Sequence, residues 1–279
     1  MNPQAPQNER REFVEALARG LDVLKAFGPT AIELTVSEAA SRTGLARPTA
    51  RRLLMTLEQL GYVRLVGGAY SLTTKVLEIG TAAIAAQGLW DVARPHLAAL
   101  VARTHESSSM SQLDGSDIVY TARVPVAKII ALSVSIGTRF PAVATSMGKV
   151  LLSELDADDL DTVLEQPSRS GIIPRVVPSR AELDEDLAQV RERGWALSDE
   201  LLTVGIRSIA APVRDSGWRI AAAMNVTVYA AETSIEHLTG EYLPALLDTA
   251  AAVTREWSNL AMLPVSETRP ADHQPADQR

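Results

Sequence analysis

The stretch Thr35–Leu60, TVSEAASRTGLARPTARRLLMTLEQL, predicts two helices joined by a tight turn. Thr35 and Glu38 have the spacing of a capping box, in which each side chain accepts a hydrogen bond from the backbone N–H of the other residue. Gly44 marks the turn, because glycine takes the left-handed backbone conformation without steric cost. Pro48 suits the first turn of the second helix, where its missing N–H needs no partner. This stretch therefore predicts a helix-turn-helix.

The second of these helices has two chemically different sides at 100° per residue. One side is apolar and consists of Ala50, Leu53, Leu54, Leu57 and Leu60. The other side has two cations and no acid, and consists of Pro48, Arg51, Arg52, Met55 and Gln59. A guanidinium group can bind a guanine edge or a phosphate. We expect the basic side to contact DNA, and the alternative is a purely structural three-helix module.

Two short extended runs follow, 62–66 and 69–72, with Gly67-Gly68 between them. A two-residue glycine turn is a strong hairpin signal, and this hairpin has the position of a wing. A helical pattern at Val14, Leu17, Leu21 and Leu24 precedes the helix-turn-helix. We therefore predict a winged helix-turn-helix over residues 13–74. Its expected DNA contacts are Ser37, Arg47, Pro48, Thr49, Arg51, Arg52, Met55 and Arg64.

The rest of the chain predicts a second domain that mixes helices and strands. An Ala-rich stretch at 75–88 reads as a linker helix, and residues 89–260 alternate between the two periodicities. Predicted strands are 108–113 and 118–124 around Asp114-Gly115, then 128–136, 195–197, 206–213 and 220–228. Predicted helices are 148–152, 159–164, 181–193 and a long closing helix from Ile235, bent or begun at Pro244. Residues 1–12 and 261–279 read as disordered tails. The fold class is α+β.

Composition narrows the possible functions. The 279 residues contain no cysteine, which excludes a disulfide framework, Cys-ligated zinc and a thiol nucleophile. Net charge is −7, but the first 75 residues hold ten basic and seven acidic side chains against 17 and 27 in the remainder. A basic N-terminal segment on an otherwise acidic chain favours an electrostatic contact with a partner that is confined to this segment. The alternative is a basic surface that only faces solvent. Without a signal core or a long apolar run, we expect a cytoplasmic protein that makes no membrane contact.

Three stretches of sequence resemble chemical motifs but lack residues that those motifs require. Ser146–Lys149 ends in Gly-Lys but lacks the upstream glycines of a phosphate loop. The acidic run from Asp156 lacks the glycine and the final glutamate of a calcium loop. The four histidines lie far apart, with no i, i+4 pair. We therefore predict no catalytic residue, no metal and no cofactor. The alternative is an enzyme pocket joined to a DNA-like module that serves only dimerisation.

The segment Ala16–Gly80 resembles the winged helix-turn-helix of IclR-family transcriptional regulators. The resemblance rests on Arg19–Leu24 (RGLDVL) and on Gly44–Leu54 (GLARPTARRLL), and it extends to about residue 260. Gly194–Leu197 (GWAL) and Gly205–Val213 (GIRSIAAPV) are similar to that family's effector-domain signature. A narrower resemblance points to its beta-ketoadipate-pathway branch, the PcaR, PcaU and PobR type. It rests on Tyr120–Pro125, Ser135–Ala142 and Ala144–Leu152.

The resemblance implies a mixed α/β, GAF-like effector-binding domain with a cleft over its sheet. Family contact positions fall on Ser146, Met147, Ser198, Ile206, Ser208, Asn225 and Thr227. Members of the branch respond to small aromatic or dicarboxylic acids, and a carboxylate ligand also needs a cation, for which Arg123 and Arg139 are candidates. The alternative for each hydroxyl is ordinary backbone hydrogen bonding, and for Arg139 an ion pair with an acid of the Glu154–Asp161 cluster.

The partners implied are a double-stranded DNA operator with paired half-sites, a small carboxylic acid effector, and further copies of the chain as a homodimer or dimer of dimers. The alternative within the family is a regulator of another small-molecule pathway.

Overall fold

The computed structural model describes residues 13–28, 30–79, 88–126 and 134–261. The chain divides near residue 86 into two compact units. Each unit has its own buried apolar core, and they are described separately.

The N-terminal unit is a winged helix-turn-helix. It consists of α1 (Glu15–Lys25), β1 (Glu33–Leu34), α2 (Val36–Thr43), α3 (Arg47–Gln59), β2 (Val63–Val66) and β3 (Ala69–Leu72). The strands form an antiparallel sheet in the order β1-β3-β2. The predicted capping box is present, since Thr35 N donates to Glu38 Oε2 at 2.8 Å and Glu38 N donates to Thr35 Oγ1 at 3.3 Å. Gly44 ends α2 with φ +67°, as the turn requires.

The apolar side of α3 packs into the core of this unit, with one exception. Ala50, Leu54 and Leu57 are buried, whereas Leu60 is 53% exposed. The prediction for Leu60 was wrong because this residue is the C-cap at the end of the helix, beyond the residues that pack into the core of the unit.

The helix predicted from Val14 onward is confirmed, but its apolar side is exposed. Val14 is 62% exposed and Leu17 is 63% exposed, while Val23 is fully buried. The pattern identified the helix correctly, but it could not tell which side of the helix packs against the core.

Two predicted elements lie largely outside the described residues. Residues 76–79 are helical, and the remainder of the proposed linker helix up to residue 87 is not described. Most of the predicted strand at 128–136 is also undescribed, and residues 134–136 are not in a strand.

The C-terminal unit is built on one antiparallel sheet of six strands in the order β6-β5-β4-β9-β8-β7. The strands are β4 (Ser107–Asp114), β5 (Asp117–Val124), β6 (Arg139–Pro141), β7 (Ala196–Asp199), β8 (Ile206–Arg214) and β9 (Ile220–Tyr229). The turn between β4 and β5 is Gly115-Ser116, one residue later than predicted, because Asp114 pairs with Asp117.

Helices cover both faces of this sheet. They are α4 (Leu89–Thr104), α5 (Ser146–Leu152), α6 (Ala157–Leu164), α7 (Arg180–Arg193), α8 (Ile235–His237) and α9 (Leu243–Ala261). The helices α4 and α9 pack on one face, and α5 to α7 form the core on the other. A π-helical stretch, Leu238–Tyr242, joins α8 to α9, so the closing helix begins anew at Leu243, beside the predicted break at Pro244. No described helix is both long and apolar enough to cross a bilayer.

Candidate functional site

The outward side of α3 presents three arginines to solvent. Arg47, Arg51 and Arg52 are exposed, and within the described residues none of their side chains has a hydrogen bond or an ion pair. Pro48 lies in the first turn of the helix, and Met55 is exposed on the same side. The leucines on the opposite side fix the helix to its unit, so these guanidinium groups are available for an external anion.

The other predicted DNA contacts flank this helix. Ser37 is exposed in the first turn of α2, and Thr49 is half-buried on α3. Arg64 lies on the first strand of the wing, where its Nε donates to Ser71 Oγ across the hairpin at 3.2 Å. That bond holds the guanidinium on the wing and leaves its other N–H groups for a phosphate.

In the C-terminal unit, a cavity lies over the face of the sheet that α5 covers. Its floor includes a row of hydroxyl-bearing residues in register across four strands: Ser107, Thr227, Ser208 and Ser198. Eight of the nine predicted effector contacts line it, namely Arg123, Ser146, Met147, Ser198, Ile206, Ser208, Asn225 and Thr227. Residues far apart in sequence therefore come together as the family resemblance implied.

Hydrogen bonds order the polar groups of this lining. Ser146 Oγ and Ser208 Oγ are 2.8 Å apart, which links α5 to β8. Asn225 Nδ2 donates to Thr227 Oγ1 at 2.9 Å, and Asn225 Oδ1 accepts from the backbone N of Ser109 at 2.9 Å. Ser198 Oγ donates to the carbonyl of Ala144 at 2.9 Å. This hydroxyl therefore makes an ordinary hydrogen bond to the backbone, which was the alternative to an effector contact.

The helix α5 is held against the short 3-10 turn Ala142–Ala144 by one glycine. A Cβ on Gly148 would lie 2.0 Å from the carbonyl oxygen of Ala142, far inside any allowed contact. Thr145 caps the helix by accepting from Gly148 N at 3.0 Å. These contacts fix the positions of Ser146 and Met147 at the cavity wall.

Arg123 is the cation among the described lining residues. Its Nη1 donates to Ser109 Oγ at 3.1 Å, while its buried Nε has no partner among the described residues. Burial lowers the pKa of Arg123 below its ordinary value, but a guanidinium remains charged in proteins. A buried donor without a partner is costly unless a ligand satisfies it. The group is therefore suited to bind a carboxylate.

Arg139 does not line the cavity, which corrects the prediction for this residue. It lies on the edge strand β6, pairs with Asp114 and has Nη1 3.7 Å from Asp117 Oδ2. It is thus in a structural ion pair, although with acids of the β4–β5 hairpin and not of the Glu154–Asp161 cluster. The cause is strand pairing, since β6 lies beside the start of β5.

Sequence reasoning missed three aromatic residues of the cavity: Tyr229, at the end of β9, and the adjacent pair Tyr120 and Phe140. The rings of that pair meet edge to face with centroids 5.5 Å apart, and burial raises the pKa of Tyr120 to about 12. The phenol therefore stays protonated at neutral pH. Simple strand alternation would put Tyr120 and Arg123 on opposite faces, but a bulge at Thr121 shifts the register and brings both to the cavity.

Both units match family models of known proteins. The C-terminal domain model of bacterial IclR transcriptional regulators matches residues 81–255, and the IclR helix-turn-helix model matches residues 16–67. A Pca regulon regulatory protein of Pseudomonas putida is 36% identical over 85% of this chain and 81% of its own length. A p-hydroxybenzoate hydroxylase transcriptional activator of Acinetobacter baylyi is 33% identical over 89% of this chain and 94% of its own length. A solved transcriptional regulator from Rhodococcus sp. RHA1 is 42% identical, covers 89% of this chain and all of its own, and gives a TM-score of 0.78.

Proposed function

Because this chain belongs to the IclR family of bacterial transcriptional regulators, we propose that it binds a paired operator and controls genes of aromatic-acid breakdown in response to a small carboxylic acid. It is a DNA-binding regulator of the IclR type. The pathway assignment is supported by similarity to the Pca regulon regulator and to the p-hydroxybenzoate hydroxylase activator.

The single observation that carries the DNA-binding proposal is the exposed basic side of α3, whose arginine side chains have no hydrogen bond or ion pair within the described residues. Arg51 and Arg52 project opposite the leucines that anchor the helix. In helix-turn-helix proteins, the N-terminal part of the second helix contacts base edges in the major groove. We assign Arg47, Thr49, Arg51 and Arg52 to the groove or its phosphates, and Ser37 and Arg64 to phosphates on either side.

The effector assignment is supported by the chemistry of the cavity. A half-buried cation, several hydroxyl and amide groups and an apolar wall are the features of a site for a small polar acid. Arg123 supplies the positive charge, and Ser146, Ser208, Asn225 and Thr227 supply hydrogen bonds. Binding there would shift the populations of two arrangements of the DNA-binding units.

We propose that this cavity binds its ligand without transforming it. The paired hydroxyls of Ser146 and Ser208 bond to each other. The described residues that line the cavity include no histidine that could act as a base beside either serine.

A homodimer, or a dimer of dimers, follows from the need to fill two half-sites. The side of α1 formed by Phe13, Val14, Leu17 and Leu21 is apolar and exposed. An apolar stripe of this kind is typical of a surface buried by another chain. We propose that a second copy covers it.

The test is a gel shift with the duplex that lies upstream of this protein's own gene. Replacing Arg51 and Arg52 together by alanine should weaken binding by at least about tenfold, since one base contact contributes about 1–3 kcal/mol. Arg19→Ala, on a side of α1 away from the exposed stripe, is the matched control and should bind as the wild type does. Wild-type affinity in the double variant would refute the assignment of α3.

A further inference from the structure

A methionine side chain lies among the arginines of α3. Met55 is 45% exposed and is on the same side of the helix as Arg51 and Arg52. The other methionines in the described part of the chain are buried in the C-terminal unit, and the apolar core of the N-terminal unit does not include Met55. The thioether is therefore available to an external partner.

The position of Met55 along the helix relates it to the first arginine. It follows Arg51 by four residues, so it lies on the same side, one turn further on. At 1.5 Å per residue, the two residues are about 6 Å apart along the helix axis. Base pairs of a DNA duplex are stacked about 3.4 Å apart, so a helix that follows the major groove would bring Met55 about two base pairs beyond the contact of Arg51.

The other exposed side chains of this turn are poorly suited to the groove. Thr56 Oγ1 donates to the carbonyl of Arg52 at 2.9 Å, which directs its hydroxyl back to the helix backbone. Glu58 is exposed and carries a negative charge, which the phosphates repel. In the turn from residue 55 to residue 58, Met55 is thus the exposed side chain that can approach a base edge without electrostatic cost.

A thioether distinguishes the base edges by polarity. The major-groove edges of adenine, guanine and cytosine present hydrogen-bond donors and acceptors, whereas thymine adds an apolar methyl group at C5. The sulfur of methionine is no donor and only a weak acceptor. Its unbranched side chain has three rotatable bonds and adapts to the surface that it contacts. A contact with the thymine methyl removes apolar surface of both groups from water, and the polar edges offer no such gain.

Building on the DNA binding proposed above, we propose that Met55 reads the 5-methyl group of a thymine about two base pairs from the base that Arg51 contacts. Met55 is then a specificity-determining residue at one position of each half-site. Arg51 and Arg52 supply the charge and the polar contacts on either side of it.

The experiment begins with duplexes selected from a random-sequence pool by the full-length wild-type protein. In the preferred duplex, symmetry-related thymines are replaced by uracil, one pair at a time. Uracil keeps the base pairing and the O4 acceptor and lacks the methyl group. At one pair of positions we expect the affinity of the wild type to fall about fourfold for each half-site, or roughly 15-fold for both, as for one methyl-sized group left in water.

Variants separate the methyl contact from effects on the helix. Met55→Ala should bind the thymine duplex roughly 15-fold more weakly than the wild type and lose nothing more when uracil replaces that pair. Met55→Leu keeps an apolar side chain and should retain a preference for thymine of at least about twofold for each half-site. Leu60→Ala is the matched control, because Leu60 is an apolar residue at the end of the same helix, 53% exposed but on the other side. It should show the full wild-type loss on uracil.

Three results would overturn the inference. The first is a wild type that binds every uracil duplex as tightly as the thymine duplex. The second is a Met55→Ala protein that keeps the wild-type loss at every position, and the third is a Leu60→Ala protein that loses the thymine preference as Met55→Ala does. In each case the wild type still selects a sequence, so DNA binding stands. If the wild type selects no sequence at all, the proposed operator binding fails together with this inference.

Discussion

Gly148 shows how one residue sets the wall of the cavity. The helix α5 begins beside the carbonyl of Ala142, and only a residue without a side chain allows that approach. Ser146 and Met147 line the cavity because the close contact at Gly148 holds the first turn of their helix against the Ala142 carbonyl. A glycine in a short helix would ordinarily weaken it, so its presence here has a packing reason.

We expect Gly148→Ala to destabilise the C-terminal unit by at least the 1–3 kcal/mol or so of an overpacked core, since the added Cβ would meet backbone and not a flexible side chain. Thermal unfolding of the full chain measures the effect. Gly240→Ala, where a Cβ meets nothing within 4 Å, is the control. Equal melting temperatures for Gly148→Ala and wild type would contradict the tight approach.

At the scale of the element, α2 depends on its first turn. The capping box between Thr35 and Glu38 supplies partners for two backbone N–H groups that the helix leaves unbonded. The backbone and side-chain hydrogen bonds from Thr35 lower the pKa of Glu38 below its ordinary value of 4.5. A carboxylate whose pKa is lowered by folding stabilises the fold above its unfolded pKa, and that stabilisation is lost as pH falls through the folded pKa.

Thr35→Val should therefore weaken α2 by about 1 kcal/mol at neutral pH, the usual effect of losing an N-cap. The difference from wild type should shrink in part as the pH falls below 4.5 and through the lowered pKa of the folded Glu38, because protonation weakens the bond from the Thr35 hydroxyl to the carboxylate. Hydrogen exchange of the α2 amides in the full chain, compared at equal pH, measures it. Thr74→Val, at an exposed threonine outside α2, should leave α2 unchanged at every pH. A difference that stays constant down to pH 3 would argue against the role of Glu38.

At the scale of the whole molecule, the operator binding that we propose requires more than one copy of the chain. Each N-terminal unit offers one basic helix, whereas half-sites about one turn apart need two. The exposed apolar side of α1 is the feature on which our dimer proposal rests.

Leu17→Asp should shift the protein toward a species of half the mass, because a buried charge without a partner is costly in an apolar interface. Sedimentation velocity at several concentrations checks this. Arg19→Ala, on the same helix, should keep the wild-type mass. A Leu17→Asp protein that sediments as the wild type does would place the interface elsewhere.

Salt dependence of operator binding tests the size of the electrostatic contact. If each subunit of a dimer neutralises about four phosphates, the slope of log K against log salt should be near −7. Gel shifts over a salt series measure the slope. A value near zero would mean that the arginines of α3 do not meet the DNA backbone.

The sequence by itself determined the helix-turn-helix, the wing and the basic side of α3. These features follow from caps, turns and helical period, which are properties of residues close together in the chain. The family resemblance also indicated seven residues that line one cavity, and the need for a cation added Arg123, although their contacts are long-range.

Only the tertiary structure decided which side chains share that cavity and what they bond. The bulge at Thr121 turns Tyr120 and Arg123 to the same face, and pairing of β6 with β5 ties Arg139 to the hairpin acids. Likewise, the direction in which Leu17 points depends on what α1 packs against. Strand register and packing are interactions between distant residues, so periodicity along the chain does not fix them.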